Sequence, residues 1–287
     1  MKPEISIKNP SFEYEKLAEY ALYLQTDGHD VQYLVQRVAD KEVMLLKDYT
    51  FPTALSADQQ IAILEKVYEL DWFLKANFWH SVHISLPSTG FTLVPINLYQ
   101  ATRTETYLNW VSPKSLDKES LYSTPIAMLK AQLIAQLRSD FIGFFKNVYP
   151  QAKMQYYAQT EALLKHINYY AEKQKDTHLY VHINNQQVII GAWRNQKLAI
   201  LNQYHCPTAQ DVVYFVLLVM DELRLERETC PVQLLGKISP VSEIVHLLKN
   251  YIRHLLIVQP KPQWLSMNPD FDSLNYHYYS DLFALAL

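Results

Sequence analysis

Glycine is scarce in this chain for its size. It has five, Gly28, Gly90, Gly143, Gly191 and Gly236, and no two lie within forty residues of each other. Average usage near 7% would give about 20 at this length. Loops that cradle phosphate need glycine, because backbone must come close to the anion and adopt positive φ. The P-loop and dinucleotide-binding fingerprints are therefore excluded. Gly-x-Ser-x-Gly is missing too, which removes the commonest serine-hydrolase elbow. The two cysteines, Cys206 and Cys230, bracket a predicted helix of roughly five turns, about 27 Å long at ~1.5 Å per residue. A disulfide holds its Cα atoms within about 7 Å, so both are expected to be free thiols in a reducing compartment.

Long apolar runs are also absent. The longest, Val212 to Met220, has nine residues, against about 20 for a membrane span. The opening MKPEISIKNPSF carries no apolar signal core. Together these features predict a cytoplasmic protein with no membrane insertion. A basic stripe is lacking: 26 Lys and Arg are scattered among 29 Asp and Glu, for a net charge of −3. That balance disfavours nucleic acid as a partner, and an RNA-associated role is the weakest of three functional readings.

What the chain does have is length and apolar content. Its 287 residues are 49% hydrophobic and 19% charged, a globular composition with room for two lobes of about 100 to 150 residues. It also repeats itself. YTFPTA, Tyr49 to Ala54, returns 155 positions later as YHCPTA, Tyr204 to Ala209. Before the first copy come ALYLQT (21–26), VQYLVQR (31–37) and EVMLLKDY (42–49), joined by turns at Asp27-Gly28 and Ala39-Asp40-Lys41. Before the second come HLYVHI (178–183), VIIGAW (188–193) and KLAILNQY (197–204), joined at Asn184-Asn185-Gln186 and Asn195-Gln196. Both triplets read as antiparallel strands. Each is followed by a helix with a capping box, Ser56 with Gln59 and Thr208 with Asp211, and then by an apolar strand, SVHISL (81–86) and VQLLGKI (232–238). A six-residue match alone can be chance; the shared order of elements argues for internal duplication.

Three antiparallel strands, a helix and a further strand are the unit of the RNase H-like fold. The fold class expected is α/β, two tandem RNase H-like lobes with the actin-like ATPase plan, divided as 1–174 and 175–287 at the charged stretch EKQKDT. Between the repeats the pattern predicts a strand at 91–95, a helix at 98–111, a loop at 112–125, a strand at 131–137, a helix at 140–148, a strand at 153–157 and a helix at 159–172. The run Val212 to Met220 is apolar all round, which predicts a helix buried on both sides.

In actin-like proteins the phosphates sit between the two hairpin loops and the adenosine rests on a glycine pair in the second lobe, and fold-level likeness does not carry that activity with it. Here Asp27-Gly28 is similar to the family's Asp-x-Gly phosphate motif but one residue short, and reads more plainly as a type I′ turn. Asn184 and Asn185 stand where an acidic residue and glycine are usual. Gly236 is followed by Lys237 in place of a second glycine. These six residues mark a vestigial nucleotide cleft. No catalytic residue and no metal ligand set is assignable: His80 with His83 and His178 with His182 have spacings that can share a metal, but no CxxC or HExxH accompanies them. Cys206, beside Pro207, reads as a core residue at a corner.

The run from Leu201 to Ile252 resembles a Bacteroidetes family catalogued as domain of unknown function 3822, through Asn202, Tyr204, Thr208, Asp211, Tyr214, Phe215, Leu235, Gly236 and Ile238. FTLVPINLYQATRTETYL resembles that family's middle motif. The resemblance implies a duplicated actin-like fold without an assigned activity. The leading expectation is a cytosolic binding or scaffold protein with a degenerate cleft and no cofactor, gripping a protein partner through its inter-lobe groove or its aromatic C-terminal segment, although that segment reads more plainly as closure of the second lobe. The alternative is an ATP-binding protein with magnesium, a slow ATPase or a kinase, whose loops use Asn184, Asn185 and Lys237.

Overall fold

The computed structural model describes residues 2–51, 56–111 and 119–287. The chain divides into two compact units. The first lobe comprises Met1–Ala162, Pro262–Leu274 and Asp281–Leu287; the second comprises Leu163–Lys261 and Asn275–Ser280.

In the first lobe the strands are β1 (Ile5–Lys8), β2 (Tyr20–Thr26), β3 (Asp30–Arg37) and β4 (Glu42–Thr50), followed by helix α1 (Ala57–Leu70) and β5 (Ser81–Leu86). The hairpins are antiparallel as expected, β2 on β3 and β3 on β4. After α1 the chain returns to lay β5 parallel to β2, Ala21 opposite Ser81. The capping box of Ser56 and Gln59 forms and starts α1. The first Pro-Thr-Ala, Pro52 to Ala54, lies outside the described residues. Strand β1, short and charged, extends the sheet beyond β4.

An insertion follows. Strand β6 (Ser88–Pro95), helix α2 (Thr104–Asn109), β7 (Glu119–Ile126) and β8 (Ala131–Arg138) form a separate sheet of order β6-β8-β7. The loop expected at 112–125 is overturned over its second half. Leu121, Tyr122, Ser123 and Thr124 pair with β8, and Pro125 is tolerated because β7 is an edge strand; residues 112–118 lie outside the description. The helix expected at 98–111 is shorter, because residues 98 and 99 turn on the Pro95 carbonyl and only 104–109 are α-helical. Helix α3 (Ser139–Val148) and β9 (Met154–Ala158) return the chain to the main sheet, β9 parallel to β5. Helix α4 (Gln159–Ala171) contains the division between the units.

The second lobe repeats the order with β10 (His178–Asn184), β11 (Gln187–Arg194), β12 (Lys197–His205), α5 (Ala209–Glu222) and β13 (Val232–Gly236). Its sheet runs β12-β11-β10-β13-β14, with β13 parallel to β10 and α6 (Glu243–Lys249) leading into β14 (Leu255–Ile257). Leu179, Val181, Ile183, Val232 and Leu234 point to one face and join Val212, Val216, Met220, Val245 and Leu248 in a single core. The expectation for α5 needs correcting. Within this lobe only one face of the helix is in the core, and Tyr214 is 60% exposed. Its run of apolar residues continues around the helix, so pattern alone could not locate the buried stripe. Cys206 and Cys230 are free and buried in the same core.

Two outcomes check this account. Thr208 closes a reciprocal cap with Asp211 at the start of α5, so Thr208→Ala should lower the unfolding free energy by about 1 kcal/mol in urea titrations. Burial, with His182 nearby, depresses the His166 imidazole to about 3. The unfolded chain then binds a proton below about 6.5 that the folded chain refuses until about 3, so stability falls as pH falls across that window. A His166→Asn variant should lose that component, flattening the slope by up to about 1.4 kcal/mol per pH unit in thermal unfolding.

Candidate functional site

The first-lobe corner is the Asp27-Gly28 turn between β2 and β3. Thr26 and Asp27 organise it from within. The Gly28 amide donates to Thr26 Oγ1 at 3.2 Å, and the amides of His29 and Asp30 donate to Asp27 Oδ1 at 2.7 and 2.9 Å. The Thr26 hydroxyl in turn donates to the Asp30 carbonyl at 2.6 Å. Three consecutive loop amides are thus bonded to side chains of the loop itself. Gly28 has φ +88°, and a Cβ there would come 2.5 Å from Gln60 Cδ. Gln60, projecting from α1, lies on the turn and accepts a hydrogen bond from Arg138 at the end of β8. Arg138 is paired with Asp140 and its guanidinium sits 4.4 Å from the centre of the Phe141 ring. An anion approaching this corner would have to break the Asp27 turn and displace an amide that is already anchored.

The second-lobe corner gathers four of the six residues marked in the sequence. Asn184 ends β10 and Asn185, at φ +52°, makes the turn to β11. Gly236 lies opposite Ile183 in the parallel register. Its φ is +84° and a Cβ would fall 2.1 Å from the Ile183 carbonyl oxygen, so only glycine fits. That carbonyl accepts the Lys237 amide at 2.9 Å. The carbonyl of Ile238 lies 3.0 Å from Nε2 of His277, whose imidazole is held below its ordinary range by burial. The corner gathers two asparagines, a glycine and a lysine, and these residues contribute no carboxylate to it.

Other sequence candidates resolve into structure. The Cys206 thiol is pushed up to about 11 by burial and by the charge of Asp211, which leaves it protonated and unreactive at neutral pH. His83 stacks on Tyr23, ring centres 4.8 Å apart, and its Nδ1 lies 3.0 Å from the Tyr157 hydroxyl. No group of three or more His, Cys, Asp or Glu that could hold a metal occurs among the described residues. In the C-terminal segment Tyr276, Tyr279 and Phe283 are buried. Sequence reasoning missed Gln60 and Arg138, since nothing in their spacing connects a helix amide to a strand end 78 positions away. It also missed the apolar surface of the insertion, where Trp110 is 78% and Leu98 62% exposed.

The family model described as "Protein of unknown function (DUF3822)" matches residues 9–255. No curated protein matches. Among solved structures, a Bacteroides thetaiotaomicron VPI-5482 protein with actin-like ATPase fold and unknown function is 20% identical, with a TM-score of 0.77 over 92% of this chain and 98% of that one. A chain of the PilM–PilN type IV pilus biogenesis complex is 13% identical, TM-score 0.60, over 93% and 96%. The ethanolamine utilization protein EutJ from Carboxydothermus hydrogenoformans is 9% identical, TM-score 0.51, over 98% and 92%. At such identities the likeness shows the fold, which is the two-lobed actin-like ATPase fold expected from the repeat.

The Gly28 corner can be tested by a mutant cycle. Gly28→Ala should cost more than the about 1–2 kcal/mol of left-handed strain, because the methyl also meets Gln60. In a Gln60→Ala background the excess should vanish, giving a coupling of about 1 kcal/mol in denaturant unfolding; additive costs would show that Gln60 does not lie on the turn.

Proposed function

This chain belongs to the family described as protein of unknown function DUF3822, and from that premise and its actin-like fold we propose that it is a binding and scaffold module whose nucleotide cleft has degenerated. The observation that carries this reading is the first-lobe corner, where the amides of residues 28 to 30 are spent on Thr26 and Asp27 and Gln60 covers the glycine. Phosphate recognition by backbone needs those amides pointing outward. At the second corner Lys237 takes the place of a second glycine and Asn184 and Asn185 stand in place of an acidic residue and a glycine, which weakens both adenine stacking and metal-bound water.

A binding role has independent support. PilM was solved in complex with PilN, and by analogy this chain engages a protein partner of its own. The insertion's exposed Trp110 is of a residue type that anchors interfaces. The reading takes the chain as cytoplasmic and its lobes as products of duplication. Two buried free thiols fit a reducing compartment, and no helix among the described residues is long and apolar enough to cross a membrane.

A second reading is favoured by one feature, the convergence of Asn184, Asn185 and Lys237 on a single corner. In it the chain binds ATP with magnesium and acts as a slow ATPase or kinase. Thermal-shift titration with ATP, ADP and GTP, with and without magnesium, separates the two. The scaffold reading expects no shift at millimolar nucleotide. A site filled at about a hundred times its Kd would add roughly 2.7 kcal/mol and move Tm by a few degrees. Such a shift, abolished by Asp27→Asn and Lys237→Glu, would replace the scaffold reading with the nucleotide one.

A further inference from the structure

The second lobe contains a cavity of about 230 Å³ on the sheet face opposite α5 and α6. Tyr180, Gln233 and Leu235 of β10 and β13 form its floor; His166, Ile167 and Tyr170 of α4 form one wall; the segment 258–260 after β14 forms the other. Strand β14 is only three residues long and ends at Ile257, so the lining beyond it comes from irregular chain. Tyr170 fixes the opening by donating its hydroxyl to the Lys261 carbonyl at 3.0 Å. Alternation along β10 and β13 sends the neighbouring residues Leu179, Val181, Val232 and Leu234 to the opposite core, so the cavity lining is a choice made separately from the core.

The lining has a consistent chemistry. None of its ten residues is Asp, Glu, Lys or Arg, and the buried His166 ring is neutral at physiological pH. Three side-chain amides, Gln174, Gln233 and Gln259, face the space together with two tyrosine rings. Gln174 Oε1 accepts from the Tyr180 hydroxyl at 3.1 Å and from Gln233 Nε2 at 3.3 Å, so the amides are held in fixed orientation before any ligand arrives. Gln233 is 7% exposed and Tyr180 2% exposed. Polar side chains buried beside a largely apolar space favour an occupant that can use their remaining hydrogen-bonding capacity. A charge brought in would find no counter-charge and would lose its hydration. A flat ring would gain contact with Tyr170, Tyr180 and Leu235.

We propose that this cavity binds a small, uncharged, flat nitrogen heterocycle that presents a donor and an acceptor along one edge, of the class that includes free nucleobases and pyridine carboxamides. The amides of Gln174, Gln233 and Gln259 read that edge, and the aromatic and aliphatic lining takes the ring. The volume lies below the roughly 300–1,000 Å³ of drug-sized sites, which restricts the occupant to one small ring system. The site uses none of Asn184, Asn185, Gly236 and Lys237, so it stands whether or not the corner loops bind nucleotide.

Nicotinamide and nicotinate are a matched pair for the test, alike in shape and differing in charge. Ligand-observed NMR and calorimetry on the full chain should show nicotinamide or adenine binding with a Kd of about 1 mM or tighter, and nicotinate at least tenfold weaker. Gln233→Leu should weaken the neutral ligand by at least tenfold. Gln259→Ala, at the exposed rim, should weaken it severalfold, and decides the matter if the first variant unfolds. No binding of either neutral ring at millimolar concentration, equal binding of nicotinate, or full affinity in the folded variants would overturn the proposal.

Discussion

The architecture of each lobe hangs on one pairing, the strand after the helix lying parallel to the first strand of the hairpin. In the first lobe β5 takes that place beside β2, and in the second β13 beside β10. Antiparallel neighbours can be joined by a turn of two residues, but a parallel neighbour requires a crossover, and here the crossover is α1 or α5. The helix must therefore cover one face of the sheet. That fixes which alternate residues of the strands are apolar on that side, and leaves the opposite face to other elements. In the second lobe those other elements are α4 and the segment after β14, and they cover it incompletely. Gly236 sits where the crossing strand ends against the Ile183 carbonyl, at a distance no side chain tolerates.

The same plan accounts for the character of the two corners. A hairpin that must begin a three-stranded antiparallel unit needs a tight turn, and Thr26, Asp27 and Gly28 supply one by binding the loop's amides internally. Internal satisfaction rigidifies the turn and withdraws its donors from any ligand. Gln60 adds a cover from the crossover helix, anchored by Arg138 on the insertion. The second corner is less closed, with Lys237 and two asparagines gathered by the β10–β13 register.

Much of this was legible in the sequence, and the reasons differ by element. Both hairpin triplets were readable because their alternation and turn residues agree, and both caps because Ser56 with Gln59 and Thr208 with Asp211 have the needed spacing. The two-lobed actin-like fold followed from the repeated order. Strand β7 was not readable: Ser123, Thr124 and Pro125 carry loop composition, and only pairing with β8 makes them a strand. The one-sided burial of α5 was hidden because Tyr214 and Leu217 carry the hydrophobic run around the helix between its buried residues. Of the marked site residues, the register brings Asn184, Asn185, Gly236 and Lys237 together, while the role of Gln60 depends on a contact across 78 positions that no local pattern encodes. The amide-lined cavity is likewise a product of register, since Tyr180 and Gln233 meet only as partners across two strands.

The buried bond between Gln25 and Asp281 gives the chain a direction in time. Gln25 Nε2 donates to Asp281 Oδ2 at 2.7 Å, the carboxylate also accepts from Gln159, and Gln25 and Asp281 are 256 positions apart. On a ribosome adding about 5–20 residues per second, Gln25 waits roughly 13 to 50 s for its partner. Throughout that interval β2 carries an amide whose final acceptor has not been synthesised. The second lobe's hairpin and crossover are complete well before then. The lobe that is begun first is thus the one finished last, and a nascent chain stalled before Asp281 would hold a first-lobe sheet with an unsatisfied polar group in its interior, the kind of species that chaperones retain.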